Sequence, residues 1–484
     1  MKKIITVLLA MIMLFSVVSC AKQADSQGGE KNDTNTEGGK IWDKQDLDFD
    51  GYEFVILGME AKGDIAGNRR GDDINVEELT GNEVLDSVYT RNRLIEETYN
   101  CTITLAPTTD LKSILMAGSE EDGNIVANTI RNTFALVEES LVLDLNDPQF
   151  TYFNLDEDWY SQSIQADTEI AGKLFFVNGD MLFTDENSMW VTFFNKELAA
   201  RYLPDVNLYD LVRTGKWTID KFNEFAALAT TEILADDKMD MFDQWGYVGE
   251  APNVAAFVTG AGYRYASITE DGGVQSEVFN PDFQTVFKKC FETVDKRFCL
   301  LATDITNRSD YFVAKDEVFT EGRALFSGTS MAYSFKLRDV ETDFGILPNP
   351  KLNEEQENYY TWTTYHDSVV SVPYSCTDYE RTSAIMEALF EESKYTVRPA
   401  YVDKALKYQS TRDDDSIEML DIIIDSTVHD IGVVYDFASI YTQLNTMVQI
   451  RSLGALSSTL TKAKIAVNTA IEDLLIKFEY KPNA

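Results

Sequence analysis

The sequence predicts an α/β fold of two lobes with a ligand cleft between them. The chain has 484 residues, which is more than one hydrophobic core usually organises, so at least two compact units are expected. Near the start of the folded region, residues 52–58 have a strand pattern, residues 83–99 a helix pattern and residues 101–105 a second strand pattern. A strand, a helix and a strand in this order predict a right-handed crossover and a parallel sheet.

The stretch from Gly172 to Leu198 is the predicted passage from one lobe to the other. Residues 174–177 are a short apolar run of the kind that forms a buried strand, and a turn signal follows at residues 178–180. After a polar loop, residues 189–194 are aromatic and β-branched and predict a second strand. Asn195 is well placed to cap the helix that follows it. We expect the cleft to lie beside this stretch.

The rest of the folded region alternates between strand and helix patterns. Strands are predicted at residues 245–248, 323–328, 344–347 and 368–373, and helices after the caps Thr218 and Asn280 and at residues 311–320, 379–393 and 456–478. Clefts in parallel sheets open beyond the carboxyl ends of the strands, so the loop at residues 58–82 is expected to line one. A surface loop without a binding role is the alternative.

The acidic composition bears on the class of partner. The chain has 42 Lys and Arg against 81 Asp and Glu, a formal net charge of -39. Such a surface repels phosphate backbones, so no nucleic acid is expected as a partner, and high solubility is the simplest interpretation. The two histidines, His366 and His429, are far apart in sequence. A His-rich metal site is therefore not expected, and no cofactor is predicted.

The N-terminus has the pattern of an export signal. Lys2 and Lys3 precede an apolar run at residues 4–18, and Val17-Val18-Ser19-Cys20 closes it. Small and apolar residues directly before a cysteine resemble the bacterial lipobox, in which that cysteine is lipidated. An ordinary secretory signal is the alternative, while a membrane span would need about 20 apolar residues. Residues 21–40 contain almost no large apolar side chain and predict a flexible tether.

Four cysteines follow the tether, and their pairing is open. Cys101, Cys290, Cys299 and Cys376 allow three sets of pairs, among which the sequence does not choose. Cys290 lies on the apolar stripe of a predicted helix, so we expect it to be a buried free thiol.

Several motifs, in a fixed order, resemble a known family. After the lipobox-like N-terminus come KLFFVNGDMLFTDENSMWVTFFNKEL, KWTIDKFNEF, FTEGRALFSGT, FGILPNPK and DSVVSVP. Together they resemble the extracellular solute-binding proteins of the sugar-binding family, family 1, which serve ABC importers and include maltose-binding protein. The resemblance covers nearly the whole mature chain, although each motif alone is weak. The loops, which set the ligand, are longer than in the smaller members.

The resemblance implies a type II periplasmic-binding-protein-like fold, in which each lobe is a mainly parallel sheet flanked by helices. It implies a signal peptide at residues 1–19, a lipidated Cys20 and tether at 20–40, a first lobe at 41–192 and 368–412, and a second lobe at 193–367 and 413–484. The chain would cross near Trp190–Asn195 and return near Ser368–Pro373. The C-terminal helices would pack on the second lobe.

The candidate ligand residues are aromatic and polar side chains near the expected crossings. An aromatic ring packs on the apolar face of a pyranose, and its hydroxyls need fixed polar partners. The candidates are Trp190, Trp245, Tyr333, Trp362, Tyr365, Asp180, Asp185 and Asn187, with Asp367 and His366 beside them. The alternatives are core positions for the rings, a turn cap for Asp180 and a structural hydrogen bond for His366. We expect Asp185→Ala and Trp362→Ala to weaken binding with little loss of folding stability.

These features predict a binding protein without catalysis. It would be anchored by lipid to the outer face of the cell membrane, act as a monomer, capture a sugar or oligosaccharide and deliver it to the permease subunits of an ABC transporter. One alternative is a secreted hydrolase acting on glycans, which needs two carboxylates about 5–10 Å apart. Another is a surface adhesin or sensor component of the same fold. The sequence shows no GxSxG, HExxH or P-loop pattern.

Overall fold

The fold is seen in a computed structural model that describes residues 47–59, 71–119, 122–183, 186–234, 236 and 238–481. All the described residues belong to one compact unit. The signal peptide, the tether and Cys20 lie outside the described residues, so what was inferred for them stays a prediction. Among the helices of the described ranges, none combines the length and the apolar character needed to cross a membrane.

Strands and helices alternate along most of the chain, as the sequence predicts. The strands are β1 (Tyr52–Met59), β2 (Cys101–Thr108), β3 (Ile125–Thr129), β4 (Trp190–Asn195), β5 (Trp245–Gly249), β6 (Ala266–Ile268), β7 (Val274–Ser276), β8 (Cys299–Leu301), β9 (Ala324–Ser330), β10 (Phe344–Leu347), β11 (Thr361–Trp362), β12 (Ser368–Ser371) and β13 (Thr427–Val428). The α-helices are α1 (Glu83–Tyr99), α2 (Leu111–Ala117), α3 (Ile130–Glu138), α4 (Gln162–Thr168), α5 (Lys196–Tyr202), α6 (Leu208–Arg213), α7 (Ile219–Ala229), α8 (Asn253–Gly260), α9 (Pro281–Phe291), α10 (Tyr311–Thr320), α11 (Tyr333–Leu337), α12 (Tyr379–Tyr395), α13 (Asp414–Asp425), α14 (Ile431–Tyr435), α15 (Ile440–Gln449) and α16 (Leu456–Lys477). A π-helix spans Pro399–Gln409.

The first lobe is built on a four-stranded sheet in the order β12-β3-β1-β2. β1 is parallel to both β2 and β3, and β12 is antiparallel to β3. The strand, helix and strand predicted at its start are confirmed. Helix α1 begins at Asn82, whose side chain accepts from the backbone of Val84 and Leu85, and ends at Asn100 in the left-handed region with φ 49°.

The second lobe is built on a five-stranded sheet in the order β10-β4-β9-β5-β8. β9, β5 and β8 run parallel, whereas β4 is antiparallel to β10 and β9. Every residue of β4 is buried, because the strand lies between β10 and β9 and also contacts α5 and α8. Asn195 ends β4 and accepts a hydrogen bond from the backbone of Leu198, which confirms it as the cap of α5.

Two crossings lie side by side between the sheets. Val177 bridges Val370 of the first sheet, and Met189 bridges Thr363 just before the second sheet begins. The chain therefore leaves the first sheet after Val177 and enters the second at Trp190, and it returns between Thr363 and β12. The strand β4, near which the crossing was expected, pairs with β9 from Trp190 to Phe194. The expected lobe boundary after residue 192 stays a prediction.

The run at residues 174–177 does not form the predicted strand. Only Val177 pairs with the first sheet. The amide of Leu174 instead donates to the side chain of Asp144, and its carbonyl accepts from the amide of Leu145. These loop contacts satisfy the backbone that a strand ladder would otherwise use.

A third crossing carries the chain back to the second lobe. α12 packs against α1 in the first lobe, whereas α13, which follows the expected boundary at residues 412/413, packs against β10 in the second. The π-helix at Pro399–Gln409 lies between them and contacts both α1 and α13.

The C-terminal helices contact both lobes, whereas the sequence predicted packing on the second lobe. α15 packs on α8 and α16 packs on β7, but α14 packs on α3 of the first lobe. The ring of Tyr435 lies 3.9 Å from that of Phe134. Cys290 is a buried thiol, as predicted.

Candidate functional site

A large cavity lies beyond the carboxyl ends of three parallel strands of the second lobe. Its volume is about 630 Å³. Residues 250–252 follow β5, residues 302–303 follow β8 and residues 329–330 end β9, and all three groups line it. This is the position in which open α/β sheets bind their ligands. We call it the cleft cavity.

The two side-by-side crossings form a short ribbon with two different faces. Ser188, Trp190, Trp362 and Thr364 line the cleft cavity, whereas Met189 and Thr363 line a second cavity of about 140 Å³ behind the ribbon. Alternation of side chains along extended backbone produces this separation. We call the second space the hinge cavity.

An aromatic pair forms the floor of the cleft cavity. The rings of Trp190 and Trp362 lie 5.5 Å apart at an angle of 57°, and their side chains are 8% and 1% exposed. The indole nitrogen of Trp362 and the hydroxyl of Ser188 are buried and have no hydrogen-bond partner among the described residues. An unsatisfied buried donor costs about 1–3 kcal/mol.

Two tyrosines complete the aromatic lining, as the sequence predicts for cleft residues. The hydroxyl of Tyr333 donates to the carbonyl of Asp316 at 3.2 Å. The guanidinium of Arg131 stacks on the ring of Tyr365, at 3.6 Å from the ring centroid. Both rings are therefore held from behind, Tyr333 by α10 and Tyr365 by α3.

The two carboxylates of the cleft cavity share one buried lysine. Lys315 is 1% exposed and lies 2.9 Å from a carboxylate oxygen of Glu250 and 2.9 Å from one of Asp316. Burial favours the neutral amine, but the two carboxylates outweigh it and hold the pKa of Lys315 above its usual value. These carboxylates are therefore ion-paired parts of the wall.

Asp180 lies in the hinge cavity and not in the cleft cavity. Its carboxylate accepts from the guanidinium of Arg398 at 2.8 Å. Burial raises the pKa of Asp180 to about 7, and the pairing with Arg398 opposes this only in part. Asp367 also lines the hinge cavity, where it lies 2.7 Å from the imidazole of His429.

Trp245 lies at the amino end of β5, whereas the cleft cavity is at the carboxyl end. It lines a separate cavity of about 520 Å³, and its indole donates to the carbonyl of Asp240 at 2.7 Å. The structure therefore does not bring Trp245 to the other candidates. Asp185 lies outside the described residues. Asn187, Trp190, Tyr333, Trp362 and Tyr365 do meet in the cleft cavity, with His366 beside them.

The first lobe contributes a separate small cavity. It measures about 20 Å³ and lies at the carboxyl edge of the first sheet, lined by Gly58, Asp73, Asn128 and Ser368 among others. Asp73 belongs to the loop at residues 58–82, so the described part of that loop does face this edge of the sheet.

The sequence did not predict several other residues that line the cleft cavity. Asn445 and Gln449 reach the cavity from α15, and Phe312 and Val313 line it from α10. The spacing of Asn445 and Gln449 is that of a solvated helix face, which gives no hint of a cleft. Phe312 and Val313 are 48% and 53% exposed. Two adjacent apolar residues on the exposed side of a helix are a signal that could have been used.

Solved structures share this fold. An ABC substrate-binding protein from Listeria monocytogenes in complex with cycloalternan matches 89% of this chain and 100% of its own, with 14% identity and a TM-score of 0.50. An ABC transporter solute-binding protein from Thermotoga lettingae bound with alpha-D-tagatose matches 88% and 100%, with 12% identity and a TM-score of 0.51. A cyclo/maltodextrin-binding protein complexed with maltotetraose matches 89% and 98%, with 10% identity and a TM-score of 0.53.

These likenesses confirm the predicted fold class, a two-lobed α/β fold of the kind found in sugar-binding solute-binding proteins. The matched structures are, by their names, binding proteins. No protein-family model and no curated protein sequence matches the chain.

Proposed function

We propose that this chain, which has the fold of sugar-binding solute-binding proteins of ABC transporters, captures a carbohydrate in the cleft cavity and delivers it to permease subunits. The observation that carries the proposal is the buried pair of Trp190 and Trp362, with an unsatisfied indole N–H, in a cavity of about 630 Å³. Sugars offer apolar faces to such rings and hydroxyls to such donors.

The size and shape of the cavity support an oligosaccharide. Its volume lies within the range of about 300–1,000 Å³ that small-molecule sites occupy. Phe312 and Val313 extend the apolar lining to a partly exposed position. A longer chain could therefore leave the aromatic floor and continue over α10.

The charges of the wall support binding without catalysis. A glycosidase needs one carboxylic acid that donates a proton and a second, ionised carboxylate. Here Glu250 and Asp316 both form ion pairs with the buried Lys315, so they are engaged with one cation as parts of the wall.

Export and lipid anchoring are part of the same proposal. The lipobox-like residues 17–20 and the polar stretch at 21–40 support a protein tethered to the outer face of the membrane. Such a tether would keep the cleft near a permease. Cys20→Ala should release the protein into the medium, and retention of this variant in the membrane fraction would contradict the anchor.

A calorimetric titration of the purified protein against a panel of mono- and oligosaccharides tests the central claim. We expect saturable binding of at least one member, with no change in the sugar afterwards. Chromatography of the mixture detects turnover. Hydrolysis of the bound sugar, or no binding across the panel, would contradict the proposal.

A further inference from the structure

The third crossing holds the loop that carries Asn187 at both ends. At its start, Arg398 donates to Asp180 at 2.8 Å. At its end, the hydroxyl of Tyr401 in the π-helix donates to the side-chain oxygen of Asn187 at 2.5 Å. Between them, the ring of Phe183 lies 4.8 Å from that of Tyr401. A segment from a distant part of the chain therefore contacts Asp180, Phe183 and Asn187.

The hydrogen bond to Tyr401 sets the direction of the Asn187 amide. A primary amide is planar, with an accepting oxygen at one edge and a donating NH₂ group at the other. Since the oxygen faces Tyr401, the nitrogen is the end that can serve a ligand. Asn187 is 4% exposed and lines the cleft cavity, and its carbonyl accepts from the amide of Ala332 at 3.3 Å. Hydrogen bonds thus hold both the backbone and the side-chain amide of Asn187 in place.

The effect of the Tyr401 hydroxyl can be tested apart from the packing of its ring. Tyr401 is 3% exposed, and its ring contacts the rings of Phe183 and Phe335 at 4.8 Å and 6.0 Å. A phenylalanine would keep both ring contacts and lose the hydrogen bond to Asn187.

We propose that Tyr401 is a specificity-determining positioning residue, which holds the Asn187 amide so that its NH₂ group donates to an acceptor oxygen of the sugar. Tyr401 does not line the cleft cavity itself and acts through Asn187. This inference rests on the proposed function. It adds a donor beside the indole N–H of Trp362 and the hydroxyl of Ser188, so this wall of the cavity is rich in donors and selects ligands by the position of their acceptors.

A double-mutant cycle tests this role with the best-bound sugar of the panel. Tyr401→Phe should weaken binding about two- to tenfold, the effect of one hydrogen bond. In the background of Asn187→Ala the same change should have no further effect, because its target is gone. Asn187→Asp can still accept from Tyr401 but has no N–H, so it should bind as weakly as Asn187→Ala. Tyr408→Phe is the matched control, since Tyr408 lies on the same π-helix and is 70% exposed.

The outcomes separate this inference from the proposed function. Equal losses from Tyr401→Phe in both backgrounds would overturn the positioning role, because a general change in lobe geometry would act in both. Wild-type affinity in Tyr401→Phe or in Asn187→Asp would also overturn it, while the proposed function would stand. If the wild-type protein binds no sugar, both fail together.

Discussion

Met189 and Thr363 bridge the two central crossings, and their pairing makes the cleft cavity and the hinge cavity opposite faces of one ribbon. Trp190 and Trp362 face the cleft, whereas Met189 and Thr363 face the hinge. Substitutions on the front face should therefore change ligand affinity. Those around the hinge cavity should change stability and its dependence on pH.

Trp362→Phe should weaken sugar binding about two- to tenfold, because it removes the indole donor and keeps a ring on the floor. The same exchange at Trp245 is the control, since that indole lies at the other end of the sheet and bonds within the protein. Titration calorimetry measures both. Equal affinity losses in the two variants would contradict the location of the site.

Trp362→Ala should destabilise the folded protein as well as weaken binding. At 1% exposure, truncation of this ring should cost about 3–5 kcal/mol in the free energy of unfolding. This differs from the prediction made from the sequence, in which Trp362→Ala costs little folding stability. Denaturant unfolding measures this cost, and a loss below about 1 kcal/mol would mean that the ring is not packed as described.

Asp180 should make the protein less stable as the pH rises toward 7. Its pKa is about 7 in the folded protein and near 3.8 in the unfolded chain. Between these values the folded state binds more protons than the unfolded state, so stability falls with rising pH, by up to about 1.4 kcal/mol per unit. Above the folded pKa the contribution is constant. Asp180→Asn should flatten this slope in unfolding curves measured from pH 4 to 8, whereas the exposed Asp205→Asn should keep it.

Lys315→Met should destabilise the protein by about 3–5 kcal/mol at pH 7, because it leaves Glu250 and Asp316 without their shared cation. The exposed Lys336→Met is the control, with an expected change within about 0.5 kcal/mol. Unfolding free energies of both variants at pH 7 provide the measurement. Equal losses in the two variants would contradict the role of Lys315 as a shared cation.

Gly179→Ala should be far more damaging than Gly51→Ala. Both glycines have positive φ, 146° and 76°, so both substitutions strain the backbone, by about 1–2 kcal/mol where left-handed conformation is needed. A Cβ at position 179 would also lie 2.2 Å from the carbonyl oxygen of Trp159, whereas one at position 51 meets nothing within 4 Å. The difference in unfolding free energy isolates this contact. Similar values would mean that the first crossing adjusts freely.

The sequence predicts best the elements that carry their own boundary signals. Helix α1 lies between Asn82 and Asn100, and α9 begins at the predicted Asn280 cap followed by Pro281, because caps and left-handed residues act locally. Residues 174–177 show the opposite case. Their apolar pattern fits a strand, but whether they join a ladder depends on loop partners such as Asp144.

The lining of the cleft cavity could be predicted in part. Trp190 and Trp362 line it because they border the crossings. Trp245 lies at the other end of β5, since a pattern locates a strand without saying which of its ends faces a cavity. Asp180 lines the hinge cavity, because a turn signal does not say which side of a crossing its side chain occupies. Tyr401 had no local signal, since its proposed role comes from contact with a loop far away in sequence. Which of these side chains touch a ligand stays a prediction.

The antiparallel direction of β4 has a mechanical consequence. Since it runs against its neighbours β10 and β9, its first residue, Trp190, stands at the cleft edge where the chain has just crossed. The aromatic floor therefore lies next to the point where the chain passes from the first sheet to the second. A rotation of one sheet against the other about this point would displace the floor least, because displacement grows with distance from the axis. The same rotation would displace residues farther from the crossings more.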